Sequence, residues 1–194
     1  MLENRPPDSV ESSPPELPAS RSGSFHQLFW LRDLAFSVLI AVVLIVFIYQ
    51  PVKVEGTSMM PALSDQERIF INKFTYRFGI GKIERGDMVV FWFPEDMTKS
   101  YIKRVIGLPG DTVEIDHGTV VVNGKPLNED YVPQKYRDRQ SLALERIEPD
   151  SYFVLGDHRL SSSDSRGWGT VPRKNIYGKA VFVYWPLEKM GRVH

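Results

Sequence analysis

Cysteine is absent from this 194-residue chain, which excludes a disulfide framework, a thiolate metal site and a cysteine nucleophile. Histidine is scarce: His26, His117, His158 and His194 are scattered without the spacing of metal ligands. No metal or other cofactor is therefore expected. Neither sign of charge is in excess, since 24 basic side chains face 24 acidic ones. Nucleic acid is not expected as a partner, because phosphate binding usually shows as a basic surplus. Amphipathic periodicity of ten or more residues is also missing, although 62–66 and 138–145 have room for short helices.

Polarity is unevenly distributed. Residues 1–24 hold Pro6, Pro7, Pro14, Pro15 and Pro18, many serines and no apolar run, so nothing there offsets the entropy of ordering. A disordered polar tail is expected over 1–28. The run 34–49, LAFSVLIAVVLIVFIY, carries no charge. As a helix it would span roughly 24 Å, short of the ~30 Å hydrocarbon core. Extension back to Trp30 closes the gap, with Arg32 snorkelling and Trp30 and Tyr49 at the two interfaces. One transmembrane anchor helix is expected over 29–50. No pair of small residues is spaced for cleavage after it, so the anchor reads as uncleaved.

After Pro51 the chain changes character. Short apolar and β-branched runs, 68–71, 88–93, 101–106, 119–122, 152–155 and 180–185, alternate with turn signals such as Pro109-Gly110-Asp111 and Asn123-Gly124. Val113–Ile115 and Thr119–Val122 read as a hairpin. The fold expected for 51–194 is a mostly β, antiparallel catalytic domain. Within the aromatic run 91–93, core positions are expected, with Trp92 the candidate for a lipid interface.

With thiols absent and histidine unplaced, hydrolytic chemistry falls to Ser, Thr, Asp, Glu or Lys. A serine entered from glycine, as in Gly56-Thr57-Ser58, can turn its hydroxyl and backbone N–H toward one carbonyl. Lys103 lies in the apolar strand Tyr101-Ile102-Lys103-Arg104-Val105-Ile106, where it reads either as a solvent-facing lysine or as a desolvated base. The segment 156–166, GDHRLSSSDSR, adds a third polar cluster.

Together the boxes VEGTSMMPAL (54–63), RGDMVVFWFP (85–94), YIKRVIGLPGD (101–111) and GDHRLSSSDSRGWGTVP (156–172) resemble the bacterial type I signal peptidases, in that family's order and with an apolar span immediately before the serine box. The resemblance implies a membrane-bound serine endopeptidase that removes signal peptides from exported preproteins, cutting after small residues in an Ala-x-Ala-like pattern. It implies Ser58 as nucleophile and Lys103 as general base. Ser162 matches the serine that orients the lysine amine, and Asp164 and Arg166 match a supporting ion pair. Val54, Met59, Leu63 and Ile102 correspond to substrate-binding positions. Signal peptides and the lipid bilayer are the implied partners. The implied localisation is a single-pass membrane protein, its catalytic domain extracytoplasmic or lumenal and its tail cytoplasmic.

Three positions depart from that pattern, the mildest being Ala62, where the family has threonine between Pro61 and Leu63. Gly56 stands where one branch of the family has a serine that donates into the oxyanion hole, leaving the Ser58 N–H with a backbone group or water as the second donor. His158 replaces the usual asparagine, with an imidazole that can also donate and accept. The self-cleaving SOS repressors share a Ser–Lys β fold but carry a helix-turn-helix, where this chain has a tail and an apolar span.

Overall fold

The computed structural model describes residues 23–74 and 81–193, except the side chains of 23–28 and 44–47. The tail expected over 1–28 thus lies largely outside the described residues. Two units divide the chain, residues 1–41 and 42–194.

The first helix, α1 (Gly23–Ile48), begins earlier than the expected range 29–50 and stops before Tyr49. From 29 to 43 its large apolar side chains, Trp30, Phe36, Leu39 and Ile40 among them, are exposed. Among the described residues no helix is long and apolar enough to cross a membrane.

In the second unit the regular secondary structure is mostly antiparallel strand, as the alternating runs predict. The strands are β1 (Tyr49–Lys53), β2 (Arg68–Asn72), β3 (Met88–Phe93), β4 (Asp96–Gly107), β5 (Thr112–Asp116), β6 (Thr119–Val122), β7 (Lys125–Pro126), β8 (Leu142–Arg146), β9 (Ser151–Leu155), β10 (Val171–Pro172), β11 (Ile176–Trp185) and β12 (Gly191–Arg192). A single helical turn, α2 (Ser165–Trp168), precedes β10. One sheet runs β1-β2-β11-β3-β4-β9-β10, with β12 beside β11, and the other runs β7-β6-β5-β8. The hairpin expected at 113–122 is β5–β6, with His117 and Gly118 both at positive φ in its turn. Residues 62–66 are turn and 138–145 lead into β8, so neither forms the short helix for which its composition left room.

Three apolar clusters fill the interior. Val54, Met59, Leu63, Ile69, Ile71, Met88, Val90, Ala180 and Val183 pack under β1, β2 and β11. Val89, Phe91, Val105, Val154 and Val171 fill the middle of the large sheet, and Ile106, Val113, Ile115, Ile147 and Phe153 join it to the small one. Phe91 is fully buried, whereas Trp92 is 39% exposed and lies against Tyr177, ring centroids 4.8 Å apart. The long central strand β4 pairs with β3 on one side and β9 on the other, so it is buried on both faces toward its C-terminal end. That double burial places a lysine and an arginine, neighbours in sequence, inside the protein.

Candidate active site

Ser58 sits on the loop between β1 and β2. Gly56 takes φ 91, a conformation costly for a side chain bearing Cβ, and its N–H donates to Asp65 Oδ1 at 2.8 Å. Chiefly through that bond, the Asp65 carboxyl is held below its ordinary range. At the loop's other end, the backbone N–H of His158 donates to the Ser58 carbonyl at 3.0 Å, and His158 Nδ1 bonds the Thr57 carbonyl at 3.2 Å. The His158 ring in turn leans on Tyr136, centroids 4.7 Å apart. The substituted imidazole therefore ties the serine loop to the 156–166 segment.

Lys103 reaches the same point from β4. Its Nζ lies 2.7 Å from Ser58 Oγ, in hydrogen-bond contact, and 5.6 Å from the centre of the Tyr101 ring. The residue is 4% exposed. Burial pulls its amine from 10.5 down to about 8. Asp164 and Asp157 pull the other way, and Arg166 assists burial. Burial prevails because each aspartate already has a guanidinium partner. Arg104 holds Asp157 in a buried two-point pair at 2.8 and 2.7 Å, while Arg166 holds Asp164 at 2.8 Å through both Nε and Nη2.

The carboxylate of Asp164 further accepts the Gly156 N–H at 3.1 Å, and Arg166 also pairs with Asp138 and donates to the Arg159 carbonyl at 2.9 Å. Segment 156–166 is thus one bonded unit behind Ser58 and Lys103. Gly156 is part of the fit, since a Cβ there would meet the Ser58 carbonyl oxygen at 2.5 Å. Ser162 Oγ is buried beside it but has no hydrogen-bond partner, so the bond to Lys103 that the resemblance implies is not made.

A groove of about 260 Å³ opens onto Ser58 and Lys103. Of the four expected substrate-binding positions, Val54 and Ile102 line it. Met59 and Leu63 do not: both are buried in the apolar cluster behind Val54, because the turn after Ser58 folds them inward. A larger cavity of about 710 Å³, beside Tyr49, Phe70, Phe182 and Arg192, contains neither Ser58 nor Lys103.

Sequence reasoning missed the Arg104–Asp157 pair, a second buried pair between Arg159 and Glu129, and the groove residues Gln50, Val52, Val90, Ser100 and Tyr177. The one signal for the first pair was an arginine inside an apolar strand, since a buried guanidinium calls for a carboxylate partner. Among the described residues no group of His, Asp and Glu could hold a metal ion.

An antiparallel β fold here sets a serine hydroxyl against a desolvated amine, an arrangement capable of serine-type hydrolysis. The family model described as "Signal peptidase, peptidase S26" matches residues 27–185. The chain is 38% identical over 170 residues to signal peptidase I of Leptolyngbya laminosa, covering 84% of this chain and 82% of that protein. It is 37% identical over 172 residues to signal peptidase I T of Bacillus subtilis, covering 84% and 88%. The crystal structure of a signal peptidase I from Enterococcus faecalis is 32% identical, with a TM-score of 0.46, covering 51% of this chain and 97% of that one. The chain belongs to the signal peptidase family, peptidase S26, and its enzymatic class is serine endopeptidase.

Proposed function

We propose that the protein is a membrane-tethered serine endopeptidase that removes signal peptides from preproteins, with Ser58 as nucleophile and Lys103 as general base. The observation that carries this reading is the 2.7 Å contact between Lys103 Nζ and Ser58 Oγ in a site where burial brings the amine to about 8. At pH 7 an ordinary lysine is neutral in about one molecule in 2,500; with its amine near 8 the neutral share is about one in ten. A neutral amine can take the serine proton, with the hydroxyl then donating along the same contact.

Ser58 Oγ attacks the scissile carbonyl as its proton passes to Lys103. The C–N bond breaks, the leaving amine takes that proton, and an acyl-enzyme remains. Water then attacks the ester, giving its proton to Lys103, and Ser58 is released with a proton returned to it. The buried hydroxyl of Ser162, which lacks a partner, can turn to the amine and hold it once it is charged. Asp164 and Arg166 keep the loop beneath in register while neutralising one another.

Val54 and Ile102 narrow the groove beside Ser58, which favours small side chains next to the cut. The apolar helix α1, with exposed apolar side chains at 29–43, supports an anchor in the bilayer. The polar tail would be cytoplasmic and the domain after residue 50 extracytoplasmic or lumenal, beside its substrates. Tethering confines enzyme and preprotein to one surface and raises their effective concentration.

The test is incubation of the full chain with a preprotein in liposomes, alongside Ser58→Ala. Wild type yields mature protein and Ser58→Ala yields none. Equal cleavage by both would refute the assignment.

A further inference from the structure

The groove changes character along its length. Beside Ser58 its apolar walls are Val52, Val54, Val90 and Ile102, with Lys53 and Glu55 also on the lining there. Gln50, on β1, precedes Val54, one residue past its end, by four residues of extended chain, roughly 13 Å, and Ser100 precedes Lys103 by three on β4, roughly 10 Å. At that remote end the lining turns polar, with Gln50, Ser100 and Tyr177. Ser100 Oγ and Tyr177 Oη satisfy each other at 2.5 Å. Gln50 Oε1 has no such relief, being buried without a hydrogen-bond partner. An amide oxygen left bare costs stability, and native structures leave few such groups.

We infer that Gln50 forms a polar subsite of the groove, accepting a hydrogen bond from a hydroxyl or amide side chain of the substrate about five to seven residues before the cut. The inference rests on the reading of the groove as the signal-peptide site. β1 is the edge strand of its sheet, so an extended peptide can add alongside it through backbone bonds. Gln50 and Val52 lie on one face of β1, and Val54, just past its end and still bonded to Glu67 and Gln66 through its backbone, continues the alternation; all three line the groove. If Val54 borders the residues one to three before the scissile bond, a strand laid along β1 brings the residue about four further upstream level with Gln50. An apolar side chain there would bury the bare oxygen for good, whereas Ser, Thr, Asn or Gln would satisfy it.

The experiment uses the full chain in liposomes and preproteins identical except for Ser, Leu or Lys at each of positions −5, −6 and −7. The readout is the ratio of kcat/KM for the Ser and Leu substrates, which partial misfolding does not change. Wild type should favour Ser about tenfold at one of the three positions. In Gln50→Leu that ratio falls to about one. Gln50→Glu should favour Lys at the same position, because a carboxylate pairs with an ammonium. An unchanged ratio in Gln50→Leu, or no preference in wild type, overturns the subsite while leaving the peptidase reading intact. Failure of wild type to cut any of the series overturns both.

Discussion

The amine of Lys103 is held where its charge is costly. Its value of about 8, against 10.5 when exposed, corresponds to roughly 3 kcal/mol against the charged folded state. Below pH 8 folded and unfolded chains are both protonated and the whole penalty applies. Between about 8 and 10.5 the folded form is neutral while the unfolded form still binds a proton, so stability climbs with pH; above 10.5 the penalty is gone. Lys103→Met should therefore abolish cleavage yet raise Tm at pH 7, and the difference should narrow as melts are repeated toward pH 10.5. A variant melting below wild type at pH 7 would contradict this. His158 acts through the serine loop. His158→Ala should lower kcat roughly three- to tenfold with little change in KM, and His158→Asn, which keeps a donor for the Thr57 carbonyl, should recover most of it. Ser58 and Lys103 were legible because each lies in a short local motif. The Arg104–Asp157 pair was not, because its members are 53 residues apart and only the sheet order brings them together.

At the scale of elements, the site is a meeting of the β1–β2 loop, β4 and segment 156–166. Each is fixed by backbone bonds, and the closest approach is at Gly156. Gly156→Ala would drive a Cβ against the Ser58 carbonyl oxygen and Ser162 Cβ, now 2.5 and 2.6 Å from where it would stand. The loop must then move, and a displacement of about 1 Å at a nucleophile costs on the order of a hundredfold in rate. Kinetics paired with thermal melts should show kcat falling by that factor while folding persists; full activity would mean the loop tolerates the shift. β3 and β6 were legible to the residue, since their β-branched and aromatic runs are bounded by turn residues. β1 was not, because the apolar span runs into Tyr49-Gln50 without a turn signal and strand follows helix directly. That Met59 and Leu63 pack inward, away from the groove, was not legible for a related reason: a motif fixes neighbours in sequence but not which of them turn inward.

On the scale of the whole molecule, the proposed function divides the work between the apolar helix, which would hold the enzyme at a surface, and the β unit, which would cut. Deleting residues 1–47 keeps β1 and the Ile48 carbonyl, which accepts the Lys73 N–H. Such a chain should cut a soluble peptide within about twofold of the full chain but lose roughly a hundredfold on preprotein in liposomes. Equal losses on both substrates would point to a damaged fold instead. The antiparallel architecture was legible from turn rhythm, and the second, four-stranded sheet was foreshadowed only by its hairpin. The proposed chemistry needs an amine that gives up its proton near pH 8, well below the usual lysine range. NMR titration of the full chain carrying ¹³Cε-labelled lysine, with the Lys103 signal identified by its loss in Lys103→Met, reads that directly. A midpoint near 8 is expected; a midpoint at or above the 10.5 of an exposed lysine would contradict the proposed mechanism.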